Sequence, residues 1–119
     1  MGGFDASIED NIPTFFGMYI RDELIGVNSG FKTGEYEYRS RGLYVKPEYR
    51  RKLIATMLLE ATQMQAIREN AKMIWSMPRK TAVQTYLSFG FKQSSKFFDE
   101  NVEFGPNCFV VKYLEDHYG

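Results

Sequence analysis

The sequence predicts an α/β (α+β) fold in one domain, a mixed, mostly antiparallel sheet flanked by helices, and three observations predict it. Alternating apolar segments early in the chain read as strands. From Arg50 the period changes to steps of three and four, which is a helix. Finally, short apolar runs bounded by Pro78, Gly90 and Pro106 return to strand character.

The elements follow in order. Phe15 to Ile20 (FFGMYI) and Leu24 to Phe31 (LIGVNSGF) are separated only by Arg-Asp-Glu, which predicts an antiparallel hairpin. Glu35 to Val45 is the third strand, with Glu35, Glu37, Arg39, Arg41, Leu43 and Val45 expected on one face, and Pro47 ends it. Tyr36, Tyr38 and Tyr44 then pack on the other face. A long amphipathic helix is expected from Arg50 to about Asn70, burying Ile54, Met57, Leu58, Ala61, Met64 and Ile67. Lys72 to Met77 reads as a buried strand. Thr81 to Phe89 reads as a shorter helix, with Ala82, Val83, Tyr86 and Leu87 on one face and Gly90 as the terminal left-handed residue. Strands around Phe91 to Phe98 and Cys108 to Leu114 complete the order βββαβαββ.

Composition bounds the function. The 119 residues suffice for a core without disulfides or metal, and the domain is expected to span 1–119. Net charge is zero, which argues against a nucleic-acid or anionic-membrane partner. A nucleic-acid binder would need a wider basic surface with exposed aromatics. The single cysteine, Cys108, lies in an apolar strand, where a buried residue is expected rather than a nucleophile. His117 has no clustered Cys or His partners, so no metal site is expected. With neither a membrane-length apolar run nor a signal peptide, a cytoplasmic location is the expectation. The aromatic C-terminal region, Phe97, Phe98, Phe104, Phe109 and Tyr113, offers material for a homodimer interface.

Charge is nevertheless uneven. Between Arg39 and Lys52 six cations stand against one anion, Glu48. Arg50, Arg51 and Lys52 fall where the long helix should start, although cations in a first helical turn are disfavoured by roughly 0.3 to 1 kcal/mol each. A bound anion such as phosphate would offset that placement. A solvated first turn with no ligand is the alternative.

Two motifs carry a resemblance. The run LYVKPEYRRKLIATMLL, residues 43 to 59, resembles the acyl-CoA pyrophosphate motif of the GNAT (general control-related) N-acetyltransferase superfamily: strand, proline, then Arg/Gln-x-x-Gly-x-Gly/Ala opening a helix. Arg50 and Ala55 match it. Residues 82 to 91, AVQTYLSFGF, resemble the second signature, Ala-x-x-x-Tyr-x-x-x-Gly-Phe. The likeness covers roughly residues 15 to 115. It departs at Leu53, where the family has its central glycine, and at Arg79, where many relatives have asparagine. The 14 residues before Phe15 are also too few for the strand and two helices that usually precede the hairpin, so the GNAT-like acyl-CoA N-acyltransferase fold is expected to be shortened at the N-terminus.

The resemblance implies acetyl transfer from acetyl-CoA, as cosubstrate, to a primary amine of a small molecule or peptide, with no metal. Leu43, Tyr44 and Val45 would pair with the pantetheine arm where that strand splays from Ile74-Trp75-Ser76. Arg50, Arg51, Lys52, Leu53, Ile54, Ala55 and Thr56 would hold the pyrophosphate. Tyr86 matches the tyrosine that donates a proton to the leaving thiolate, and Glu37 is the candidate base, with water as the alternative. Arg39 and Arg41, if they face the cleft, favour an acceptor carrying a carboxylate or phosphate. A second reading is a non-catalytic CoA-binding module of the same fold.

Overall fold

The computed structural model describes residues 12–50, 53–99 and 105–114. Among the described residues six strands form one sheet: β1 (Thr14–Ile20), β2 (Glu23–Lys32), β3 (Glu37–Val45), β4 (Met73–Ser76), β5 (Lys92–Gln93) and β6 (Val110–Tyr113), in the order β1-β2-β3-β4-β6-β5. Only β3 and β4 run parallel, and they are joined through helix α1 (Ile54–Arg68). Helix α2 (Val83–Ser88) follows a 3-10 turn at Lys80–Ala82.

The first hairpin turns on Arg21 and Asp22, both at positive φ (50° and 68°), the geometry that matches the twist of two antiparallel strands. β3 runs straight only as far as Arg41. Ser29 pairs with Arg41 and Val27 with Tyr44, so β3 carries one extra residue there, and Gly42 (φ +80°) supplies the left-handed backbone. The bulge shifts the alternation by one. Tyr38 and Ser40 before it, and Leu43 and Val45 after it, all turn toward the helices, while Arg39, Arg41 and Tyr44 turn away. The expected single face containing Glu37, Arg39, Arg41, Leu43 and Val45 is therefore corrected, because a bulge breaks the period of two.

Both helices pack on that one face. Leu59 and Ala66 of α1 and Val83 and Tyr86 of α2 share a core with Tyr38, Ile74, Phe91, Cys108 and Val110. Ile54 and Leu58 close a second cluster over Ile25 and Val45. Every described strand residue on the opposite face is partly or fully exposed, including Phe15, Val27, Arg39, Arg41, Trp75 and Tyr113.

The long helix starts later than expected. Pro47–Tyr49 forms a 3-10 turn, Arg50 is extended (φ −68°, ψ 153°), and Leu53 at φ 64° redirects the chain into α1. Arg50 thus precedes the helix and escapes the first-turn penalty; Arg51 and Lys52 lie outside the described residues. The buried face is also rotated from the expected one. Leu59, Thr62 and Ala66 are buried, whereas Met57 and Met64 are about half exposed (49% and 47%), because the helix turns Thr62 inward to a polar partner described below.

Each helix ends in the same way. Asn70 (φ 64°) and Gly90 (φ 105°) are left-handed, with Asn70 N donating to Ile67 O (3.0 Å) and Ala71 N to Ala66 O (2.9 Å), and Gly90 N to Leu87 O (3.0 Å) and Phe91 N to Tyr86 O (3.1 Å). These are Schellman closures. At α2 the accompanying apolar contact is Phe91 edge-on to Tyr86, ring centroids 5.1 Å apart. The strand expected at Phe91 to Phe98 shrinks to Lys92–Gln93, with an isolated bridge from Phe98 to Asn107. Among the described residues no helix is long and apolar enough to cross a membrane.

Candidate active site

The site begins where two strands part. β3 and β4 pair at Glu37–Met73, Tyr38–Ile74 and Arg39–Trp75, and there the pairing stops. From Ser40 to Val45 the β3 backbone has no strand partner on that side. Two side chains replace the missing strand at the ends of the gap: the Ser76 hydroxyl donates to Ser40 O (2.7 Å), and Arg50 Nε donates to Val45 O (2.9 Å). The peptide groups between remain available to a ligand.

A cavity of about 430 Å³ opens at this gap. Leu43, Tyr44 and Val45 form one wall, Tyr49, Arg50 and Leu53 to Thr56 the end wall, and Arg79, Thr81, Ala82, Thr85 and Ser88 the side toward α2. The N-terminus of α1 points into it. Leu53 at the N-cap has no side-chain cap, no acid occupies the first turn, and the first intrahelical bond is Met57 N to Leu53 O (3.0 Å). The amides of Ile54, Ala55 and Thr56 are thus without acceptors in the helix, and with the helix dipole they make a site for an anion. Arg50 adds charge beside them, its Cζ 5.6 Å from the Tyr44 ring centroid. Lys46 is committed elsewhere, to Glu23 (2.8 Å) on the surface.

Leu53 replaces the family's glycine, yet it adopts the left-handed conformation a glycine takes freely, with its side chain 69% exposed at the cavity rim. The substitution costs strain, about 1 to 2 kcal/mol.

Beneath the parting point lies a buried polar network. Asn28 Nδ2 donates to Ser40 Oγ (3.0 Å) and to Thr62 Oγ1 (2.8 Å), and Thr62 in turn donates to Leu58 O (2.8 Å). Tyr86 Oη lies 3.0 Å from Ser40 Oγ and 3.3 Å from Ser76 Oγ. The five side chains join β2, β3, β4 and both helices, and each is no more than 3% exposed. Burial pushes the Tyr86 phenol above its ordinary pKa, and the serine hydrogen bonds pull it back only in part. The phenol is neutral at physiological pH and sits at the closed end of the gap, outside the cavity lining.

The expected site residues divide accordingly. Leu43, Tyr44, Val45, Arg50, Leu53, Ile54, Ala55 and Thr56 meet at the cavity. Arg51 and Lys52 lie outside the described residues. Glu37 stands at the opposite end of β3 from Val45, next to the Gly34 turn, and does not line the cavity. Arg39 and Arg41 sit on the helix-free face, beyond Gly42. The lining residues Tyr49, Thr81, Thr85 and Ser88, and the network of Asn28, Ser40, Thr62 and Ser76, were not anticipated. A polar residue on the core-facing register of β2 was the available signal for Asn28.

Comparison with known proteins agrees with this geometry. The model of the acetyltransferase (GNAT) domain matches residues 11–93. No curated protein sequence matches. Among solved structures, PaiA N-acetyltransferase from Thermoplasma acidophilum in complex with coenzyme A superposes with a TM-score of 0.73 at 21% identity, covering 91% of this chain and 65% of that one. This chain therefore spans just under two thirds of that protein's length. An aminoglycoside 6'-N-acetyltransferase complexed with coenzyme A gives a TM-score of 0.74 at 15% identity, over 85% of this chain and 72% of that one. An acetyltransferase of the GNAT family from Staphylococcus aureus gives 0.72 at 17% identity, over 87% and 68%. At these identities the structures speak for the fold, and the domain match for the family: the chain belongs to the GNAT acetyltransferases.

Proposed function

We propose that this chain transfers the acetyl group of acetyl-CoA to a primary amine of a small molecule or peptide. The observation that carries the reading is the parted strand pair opening onto the uncapped start of α1. Its two kinds of unmet group, strand peptides and helix amides, suit the amide-bearing arm and the diphosphate of one ligand. Both solved relatives bound to coenzyme A share this fold.

When bound, acetyl-CoA supplies an activated acyl carbon and a thiol leaving group of pKa about 8.5. The chain's residues do the rest. The amides of Ile54, Ala55 and Thr56 with Arg50 bind the diphosphate, and the free peptide groups of β3 align the arm. The amine nitrogen forms its bond to the acyl carbon as the carbon–sulfur bond breaks. The Tyr86 phenol, protonated and held by Ser40 and Ser76, is the proton source for the departing sulfur. Among the described lining residues there is no carboxylate or imidazole. Water accepts the amine proton in this reading, and Glu37 has no direct part in it.

Calorimetric titration with acetyl-CoA, followed by thiol release on an amine panel, tests the proposal. Saturable binding with turnover supports it, and absence of binding at millimolar ligand overturns it. Binding without turnover would select the non-catalytic CoA-binding module, a reading favoured by the burial of Tyr86 and the lack of a lining base.

A further inference from the structure

Arg39 and Arg41 leave β3 on the helix-free face, two positions apart and hence side by side. The Arg39 guanidinium carbon lies 4.8 Å from the Trp75 ring centroid. That ring is itself fixed: Trp75 Nε1 donates to Thr33 Oγ1 (2.9 Å), and Phe109 packs at 5.9 Å. Arg39 Nε is buried without a hydrogen-bond partner. Burial first, and the neighbouring Arg41 second, push the Arg39 guanidinium below its ordinary pKa. Among the described residues no carboxylate lies within ion-pair distance of either arginine. Glu37, the next residue on that face, has its carboxyl carbon over the Gly34 turn instead.

Like charges held side by side repel, and a desolvated guanidinium nitrogen without an acceptor adds to the cost. An oxyanion lying across the two guanidinium groups would offset the repulsion between them. The location fits an acceptor that approaches from the far side of the gap: the cavity wall runs along β3 from Val45 to Leu43, and Arg41 is two residues further, roughly 7 Å along the strand and on the opposite face of the sheet.

We infer that Arg39 and Arg41 bind the oxyanion of the acceptor, so that the preferred substrates are amines carrying a carboxylate or a phosphate. The inference rests on the acetyl-transfer reading for its substrate sense, but the oxyanion site can be tested without turnover.

Trp75 is the chain's single tryptophan and reports directly on Arg39. Its fluorescence is titrated with inorganic phosphate and with malonate, against sodium chloride at equal ionic strength. A saturable change with the dianions is expected, weakened at least tenfold in Arg41→Gln. The same weakening in Arg39→Lys, which keeps the charge but loses the planar fork, would show bidentate recognition. An identical response to chloride, an adventitious ion only, would overturn the site, as would titrations unchanged in both variants.

Acetylation is then compared within matched pairs, O-phosphoethanolamine against ethanolamine and β-alanine against its amide. At least a tenfold advantage in kcat/KM for an anionic member is expected, and the pair with the larger ratio identifies phosphate or carboxylate. Parity in both pairs, or preference for the cationic members, would overturn the inference while leaving acetyl-CoA binding and turnover intact. Failure of acetyl-CoA to bind would instead remove the acetyl-transfer reading.

Discussion

The first residues of β3 have hydrogen-bonded neighbours on both sides, β2 and β4, whereas from Ser40 onward only β2 remains. The two halves share a core underneath and still differ in what their backbones can do. In the paired half the peptide groups are consumed by the sheet, and the side chains carry the interest: Tyr38 inward, Arg39 outward. In the parted half the peptide groups on the β4 side have no strand partner. The boundary is a serine pair, Ser40 and Ser76, whose 2.7 Å bond puts a hydroxyl where a strand amide would otherwise donate. The gap is thereby written into the side chains.

The largest effect should come from attacking that boundary from below. Asn28→Ala strips partners from Ser40 and Thr62 in the core, and unfolding in urea should show a loss of about 3 kcal/mol. A loss below about 1 kcal/mol would mean that water enters and the halves do not depend on the network. Next, Arg50→Ala should weaken acetyl-CoA binding by about 2 kcal/mol in calorimetry, because it removes both charge at the anion site and the bond to Val45 O. Unchanged affinity would take the end of the parted half out of the ligand site.

A pH series separates the two halves further. Burial holds both Tyr38, in the paired half, and Tyr86, at the boundary, above the ordinary tyrosine pKa; for Tyr38 the nearby Glu69 carboxylate adds to the shift. Both contributions are complete below about pH 10 and are lost as pH rises through the folded values, at up to roughly 1.4 kcal/mol per pH unit for each phenol. Tyr38→Phe and Tyr86→Phe should each flatten the alkaline decline, and identical slopes in parent and variants would remove that account. The smallest effect is expected at Leu53. Leu53→Gly should relieve about 1 kcal/mol of left-handed strain and tighten acetyl-CoA slightly. A destabilised variant would indicate that the exposed leucine has packing value.

Much of this was legible in the chain. Periodicity gave five of the strands and both helices to within a few residues, and Gly90 announced the end of α2 because only a left-handed residue closes a Schellman turn at no steric cost. The cavity's wall and end could be read from Pro47, Arg50 and Ala55. What escaped was local phase. Strict alternation through Gly42 puts the arginines on the same face as Leu43, although a glycine inside a strand is itself a bulge signal. The face of α1 expected from Ile54, Met57, Leu58, Ala61, Met64 and Ile67 is purely apolar, while the helix in fact turns Thr62 inward to meet Asn28. Hydrophobic patterning has no symbol for a polar residue that belongs in the core. Nor does a motif disclose that Leu53 would keep the glycine conformation and accept the strain.

The open half of β3 also bears on the protein's behaviour in a tube. A stretch of strand whose peptide groups lack partners is an edge, and edges recruit other strands. Here the edge lies inside the sheet, guarded at its two ends by a serine and an arginine and bare between them. A ligand threaded along it would act as a cover strip, so coenzyme A should suppress self-association during concentration and heating even where it adds little to the midpoint of unfolding.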